Sequence, residues 1–482
     1  MEMMPGTSKS RQGPQGFICD SNITVAMTQE KKAPRLFGTN GVRGIVNSDE
    51  MDPMFAMKLG MAIGSFMKGK VMIGTDARTS NEMLKSACVS GLMAVGCDVS
   101  DCGVVPTPTL QYAVKIAQAA GGVVITASHN PPEFNGIKAI DADGTEMGRE
   151  NEEAIERIYH EGRFTRADWR RIGQVTQNLT VVDRYIGGIL SKVDGLAIRK
   201  ANLRIAVDCG NGASSLVTPK LLERLGVRYV TLNADPNGAF PGHNSEPVPE
   251  NAVDLVELVK SGGFDFGVIH DGDGDRTIFV DETGRYLQGD RSLAIVANYI
   301  CSLKPNRLIV TNVASSQCIE EAVKMAGGRM LYTRVGSPTI ARAMMKEGGV
   351  FGGEENGGLI FAEFQFCRDG AMAVAKMLEI VAKTGQLSKL NDRIPSYCQC
   401  KKKTGCPEGR KQAVLREIEK DAKGLKVDTT DGIKILFDEG WVIIRPSGTE
   451  PIFRIFSESK TASRAEELAE KYKKKVEKLV NG

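Results

Sequence analysis

The chain has 482 residues, of which 41% are hydrophobic and 25% charged, with a formal net charge of +3. That length exceeds one hydrophobic core and predicts three or four domains of roughly 100–150 residues each. The charge balance gives no reason to expect nucleic acid as a partner, and no apolar run reaches the ~18–20 residues that span a membrane.

Residues 1–34 are rich in Gly, Pro, Ser, Gln and Lys and lack a signal-peptide core, which predicts a disordered extension, or an upstream start with the real beginning near Met27. The eleven cysteines are scattered through predicted strands and helices, as reduced thiols in a cytoplasmic protein would be.

A strand–helix–strand–helix–strand pattern then recurs three times. In the first unit the pattern predicts a strand at 71–73, a helix over 80–95, a strand near 99–105, a helix around 110–117 and a strand at 123–126. The second unit runs through a strand at 203–208, a helix at 216–225, a strand at 229–232, a helix at 252–260 and a strand at 266–270. The third has strands at 308–312, 330–335 and 350–351, with helices at 319–326 and 339–346 between them. From about 396 the chain changes character. A hairpin at 433–437 and 441–444, a strand at 452–456 and a final helix carrying Leu468, Tyr472, Val476 and Leu479 on one face predict a small α+β domain. The expected architecture is α/β: three repeated domains of helix-covered sheets (35–175, 176–288 and 289–395) and a C-terminal α+β domain (396–482) around a central cleft.

Each third strand ends in an unusual polar motif. Thr126-Ala127-Ser128-His129-Asn130-Pro131 places Ser128 on a turn beyond a strand's carboxyl end, where open α/β sheets bind ligands. Asp271, Asp273 and Asp275 are hard oxygen ligands suited to Mg²⁺ or Ca²⁺. An EF-hand is excluded, because position six of such a loop would be Arg276 where Gly is needed, and the flanks read as strands. Glu354, Glu355 and Asn356 stand between glycines and suit sugar hydroxyls. In the tail, Arg445 to Pro451 reads as an anion cradle: Arg445 and Arg454 supply guanidinium forks, Ser447 and Thr449 hydroxyls, and Gly448 close backbone approach. Arg43, near Thr39 and Asn40, could steady a phosphate, and Asp76 with Arg78 could form a structural ion pair. Cys398, Cys400 and Cys406 lack a paired C-x-x-C, so the stretch is expected to be a solvated interdomain link rather than a zinc site.

Taken together, these motifs resemble the α-D-phosphohexomutase family from Leu36 to about Lys475: Thr126–Pro131 with Asn135-Gly136 and Lys138, then Asp271–Arg276, Gly353–Gly358 and Arg445–Pro451. The likeness is greatest to the archaeal branch described as phosphoglucosamine or phosphomannose mutases. The resemblance implies four domains around a cleft and a phosphorylated Ser128. It implies one Mg²⁺ held by Asp271, Asp273, Asp275 and an oxygen of that phosphate. The activity it implies is exchange of phosphate between the 1- and 6-positions of a hexose through a hexose 1,6-bisphosphate. Phosphoglucosamine mutase is the expected activity, with phosphomannomutase or phosphoglucomutase as the alternative. Lys138, Arg276 and Arg43 would manage proton and charge at the reacting group, Lys138 as acid or electrostatic clamp more readily than as base. His129, Glu354, Glu355, Asn356, Arg445, Ser447, Gly448, Thr449 and Arg454 would bind substrate. His129 is not assigned as base, since adjacent side chains rarely point together.

Many relatives carry Ser and then His where Asn356 and Gly358 stand, and a charged residue or His where Ser337 follows Val335-Gly336; both departures leave the sugar open. A metal-dependent sugar phosphatase is the competing class, and the second phosphate grip at Arg445–Pro451 speaks against it. An acyl hydrolase lacks G-x-S-x-G. A non-catalytic sensor would leave Ser128 unexplained. The expected partner is a hexose phosphate, with no nucleic acid or membrane, for a monomer or homodimer.

Overall fold

The first three sheets share one topology. The first runs Val42–Ile45, Phe134–Ile140, Gly121–Ile125, Val71–Thr75, Val99–Val104, Val175–Gln177. The second runs Tyr286–Leu287, Thr277–Asp281, Phe266–His270, Arg204–Asp208, Arg228–Leu232, and the third Arg329–Thr333, Leu308–Asn312, Phe351–Gly353, Leu359–Phe361, Gln365–Arg368. In each, the opening strand of the repeat lies between the second and third, parallel to both, and a fourth strand returns antiparallel along the third. The chain must cross over between parallel neighbours, and it does so through helices such as Asn81–Ala94 and Thr107–Ala117. The central strands Val71–Thr75, Gly121–Ile125, Phe266–His270 and Leu308–Asn312 are buried throughout, as helix-covered parallel strands must be. The computed structural model describes residues 35–38, 40–448 and 450–481, so the expectations for residues 1–34, Thr39 and Thr449 lie outside the described residues.

The fourth antiparallel strand is what positions the site. The three polar motifs are the turns joining third strand to fourth: 126–133, 271–276 and 354–358. All three therefore leave their sheets at the same topological point.

The last sheet is antiparallel, in the order Cys398–Gly405, Ile452–Ser459, Gly440–Pro446, Ile433–Phe437, Lys426–Asp428. Helix Ala462–Asn481 closes it by burying Tyr472 and Val476 with Ile433, Ile435, Val442, Ile444, Phe453 and Ile455. The solvated link expected around Cys398 and Cys400 is instead an edge strand, paired over its whole length with Ile452–Ser459. Its exposed lysines Lys401 and Lys403 misled the reading: charge on an edge strand discourages edge-to-edge association and says nothing of a linker. Cys406 is buried in the core behind it.

The cores do not follow the sheets one to one. Residues of the second and third sheets share a single apolar core, in which Phe266 and Phe279 join Phe351 and Phe361. Helix Gly370–Thr384, capped by the Asp369 carboxylate on Met372 N, runs through it. The first sheet buries a core on each face, the second and third sheets each have a smaller core on the face away from the shared one, the last sheet has its own, and Val313, Trp441 and Ile443 join the third sheet to the last. Among the described residues no helix is long and apolar enough to cross a membrane.

Candidate active site

Ser128 sits at φ +53° and is fully buried. That left-handed turn is held from behind by Arg78. Its guanidinium donates to the carbonyls of Ser128 (3.0 Å), Asn130 (2.5 Å), Pro131 (2.6 Å) and Phe134 (2.8 Å), while Nε pairs with Asp76 at 3.1 Å. Thr126 Oγ1 donates to Asp76 (2.6 Å) and accepts from Ser128 N (2.8 Å). The Asp76–Arg78 pair is thus structural, and what it structures is this loop. Arg43, from strand Val42–Ile45, donates to Asn130 Oδ1 at 2.6 Å.

The second loop reaches the same place. Asp271 Oδ2 accepts from Ser128 Oγ at 3.0 Å, and Gly272 lies so close that a Cβ there would be 2.7 Å from Ser128 O. Lys138, on the return strand Phe134–Ile140, is 2.7 Å from Asp273 and 3.7 Å from Asp275. Thr107 donates to Asp273 at 2.6 Å. Arg276 donates its backbone N–H to Asp271 Oδ1 (3.1 Å), and its Nε lies 3.9 Å from both Asp271 and Asp275. His129 Nδ1 comes within 3.4 Å of Ser128 Oγ. The expectation that adjacent side chains would diverge fails here, because the left-handed Ser128 turns the chain back on itself. Burial, then the charges of Arg276 and Arg43, push the His129 imidazole down to about 2, so the ring is neutral.

The third loop is joined to these by Arg368, which the sequence reading missed. Arg368 reaches Asp275 (2.5 Å), Glu354 (3.3 Å) and Glu146 (3.5 Å). Glu354 also accepts from Gly336 N at 3.1 Å, and Glu146 takes contacts from Asn40 and Ser337. Glu354 therefore spends both oxygens inside the protein. Glu355 is paired instead with Lys401 (3.6 Å), from the last sheet's edge strand, and with Asn312 (3.4 Å). Asn356 Oδ1 accepts from Gly358 N at 3.1 Å and closes the turn.

The C-terminal loop forms a second group. Arg445 Nε donates to Asp431 at 2.8 Å, and Arg454 pairs with Glu450 at 2.7 Å. Ser447 Oγ accepts from Glu450 N (3.2 Å), the buried Lys411 ties the carbonyls of Ser447 and Glu450 (2.6 and 2.8 Å), and Gly448 is exposed. Asp431 also accepts from Val335 N at 3.0 Å, so the Arg445 side chain is tethered to the loop whose next residue, Gly336, binds Glu354.

Family models for the phosphoglucomutase/phosphomannomutase alpha/beta/alpha domains I, II and III and the C-terminal domain match residues 34–166, 183–284, 288–397 and 402–475. The chain belongs to the α-D-phosphohexomutase family. The expected α/β architecture of three related domains and a different fourth accords with those matches. A "Phosphoglucomutase/phosphomannomutase" of Thermococcus kodakarensis is 46% identical over 457 residues, covering 93% of this chain and all of that one. A "Probable phosphoglucosamine mutase" of Methanopyrus kandleri is 40% identical over 91% of this chain and 97% of its own. The crystal structure of a phosphoglucomutase/phosphomannomutase family protein from Burkholderia thailandensis superposes with a TM-score of 0.83 at 26% identity, over 92% and 97% of the two chains. Like its relatives, this family member is a phosphomutase.

Its acidic cluster fits a divalent cation. One carboxylate oxygen from each of Asp271, Asp273 and Asp275 lies within 4.8 Å of the others, and all three residues are buried. Asp273 Oδ1 and Asp275 Oδ1 are buried without a hydrogen-bond partner, which costs free energy unless something satisfies them. Burial, then the charges of Asp273 and Asp275, push the Asp271 carboxyl well above its usual range. Burial also opposes ionisation of Asp273, but Lys138 beside it holds that carboxyl below its usual range.

Proposed function

We propose that this family member interconverts the 6- and 1-phosphates of a hexose through a phosphorylated Ser128 and a hexose 1,6-bisphosphate, with glucosamine phosphate as its preferred substrate. The observation that carries this reading is Ser128 Oγ, buried and 3.0 Å from a carboxylate of the acidic cluster. An oxygen there, once phosphorylated, and Asp271, Asp273 and Asp275 would together hold one Mg²⁺, which supplies charge neutralisation for phosphoryl transfer.

In the first half-reaction a sugar hydroxyl attacks the phosphorus on Ser128. The new sugar O–P bond forms as the Ser128 Oγ–P bond breaks, and the hydroxyl proton ends on Ser128 Oγ. Lys138, placed between Asp273 and Asp275, and Arg276 offset charge at the transferring group. After the bisphosphate turns over, its other phosphate returns to Ser128 by the same bond exchange. Arg445, Ser447, Gly448, Thr449 and Arg454 grip the phosphate that is not reacting, and Arg43 and His129 border the reacting one. At the sugar loop, Glu355 and Asn356 are the half-buried side chains that can meet hydroxyls, whereas Glu354 is buried with both oxygens engaged.

Glucosamine is supported by archaeal relatives such as that of Methanopyrus kandleri. A broader glucose or mannose reading is favoured by the name of the 46% identical Thermococcus relative. A panel of glucosamine, glucose and mannose 1-phosphates, primed with a hexose bisphosphate and read as 6-phosphate formed, tests both. Fastest turnover of glucosamine is expected. Release of free phosphate in step with substrate loss would show a phosphatase instead.

A further inference from the structure

We propose that Arg368 is a positioning residue that sets the cation site and the sugar loop in one geometry, and that position 358 is glycine to admit it. The inference rests on the reading of Asp271, Asp273 and Asp275 as a cation site.

Arg368 ends strand Gln365–Arg368 and is 5% exposed. Its guanidinium meets one carboxylate from each of three sheets' loops: Asp275 of the acidic cluster at 2.5 Å, Glu354 of the sugar loop at 3.3 Å and Glu146 beyond the first sheet at 3.5 Å. A planar fork with five donors can span partners arriving from different directions, which an ammonium cannot. At Asp275 it takes Oδ2 and leaves Oδ1 buried with no hydrogen-bond partner. The carboxylate is thereby turned so that its free oxygen is the one a cation would meet. At Glu354 the same guanidinium fixes the first residue of the sugar loop, and at Glu146 it reaches the carboxylate that also contacts Asn40 and Ser337.

The charges support the same assignment. The buried carboxylates Asp271, Asp273, Asp275, Glu354 and Glu146 face Lys138, Arg276 and Arg368, with Arg43 also close to Asp273 and Asp275, so carboxylates outnumber cationic side chains in the cluster. Without Arg368 the cluster would be more negative still, and Asp275 and Glu354 would lose the group that fixes their orientation.

Gly358 makes room for this side chain. A Cβ at that position would lie 2.2 Å from Arg368 Cδ and 2.8 Å from Cγ, closer than real atoms come. Gly358 has no need of the left-handed region: the positive-φ glycine of the loop is its neighbour Gly357. Its reason for being glycine is therefore the arginine stem.

The test is Mn²⁺ binding to the full chain, followed by the loss of its free electron-spin resonance signal, in wild type, Arg368→Met, Arg368→Lys, Gly358→Ala and the double variant Gly358→Ala/Arg368→Met. Outer-shell partners of metal ligands are worth about 10–100-fold in metal affinity. Arg368→Met is expected to weaken Mn²⁺ by that factor and Arg368→Lys by less. Gly358→Ala is expected to weaken it too, but to add nothing once Arg368 is Met. Mn²⁺ affinity within twofold of wild type in folded Arg368→Met overturns the proposal, as do additive losses in the double variant. If Arg368→Met does not fold, Gly358→Ala and Arg368→Lys decide: unchanged affinity in both overturns it. Wild-type chain that binds no Mn²⁺ refutes the cation reading itself. Chain that shows the expected Mn²⁺ pattern but forms no hexose 6-phosphate refutes the proposed activity and leaves the role of Arg368 standing.

Discussion

Ser128 adopts a backbone conformation that costs a non-glycine residue about 1 kcal/mol, and the loop tolerates it because Arg78 grips three of its carbonyls and that of Phe134, the first residue of the return strand. The hydroxyl itself contributes little to the fold, with one contact to Asp271 at 3.0 Å and a longer one to His129. Ser128→Ala is therefore expected to fold with a melting temperature within about 2 °C of wild type, since a single hydrogen bond is worth about 1 kcal/mol net. The same variant should take up no label from a radioactive hexose bisphosphate and show no turnover; wild-type labelling would place the phosphoryl carrier elsewhere. Ser128 and the alternating aspartates were legible in the sequence because each motif is continuous and chemically unusual. Arg368 was not, because its three carboxylate partners lie between 14 and 222 residues away and its own neighbours mark nothing. The one available signal was a charged residue closing a stretch that carries Phe361, Phe364 and Phe366.

At the scale of elements, the turn that carries each motif depends on a return strand that the sequence reading did not extend to. Thr277–Asp281 was noticed only as a β-like flank, Leu359–Phe361 is three residues long, and Phe134–Ile140 contains Lys138 at a buried position. The hairpin of the last sheet was legible, at 433–437 and 441–444, because it alternates around a clear turn. Helix Gly370–Thr384 was missed for the opposite reason: Gly370 through Val381 are all buried, so no polar face gives the pattern a period. The last sheet docks on the third through an unusual buried cation. Lys434 Nζ donates to Val313 O at 2.7 Å and lies 4.1 Å from the Trp441 ring centroid, while Trp441 donates to Glu458 at 2.9 Å. Burial pushes the Lys434 amine down to about 8 from its ordinary 10.5. Between those values the unfolded chain holds a proton that the folded chain has released. Stability contributed through this group therefore rises with pH across that window. Lys434→Met should remove that rise, so the difference in melting temperature between wild type and variant should change between pH 8 and pH 10.5. A difference independent of pH would show that the amine does not titrate on folding.

For the molecule as a whole, the largest core among the described residues spans two of the four sheets. The second and third sheets share one body of side chains, so they should unfold in one step while the first and last unfold separately. Phe279→Ala, in the second sheet, should lower that joint step by about 3–5 kcal/mol. Hydrogen exchange should then accelerate together over 204–281 and 308–361, with the first sheet's exchange unchanged. Faster exchange confined to the second sheet would show that the shared core does not couple them. The repeat in the sequence reveals how many times the strand order recurs. It does not reveal which recurrences bury their faces on each other, because that depends on side chains that lie far from their partners in the sequence, as Phe279 does from Phe351.

The common interior of the middle sheets also limits how the chain can be cut and joined. A chimaera that imports only the third repeat from a relative would expose half of a matched apolar surface to a stranger's half, and should come out insoluble or poorly ordered. One that imports the second and third together carries both halves of that surface, and with them the aspartate turn and the sugar turn on a single rigid mount. Substrate preference in such hybrids should travel with that paired block.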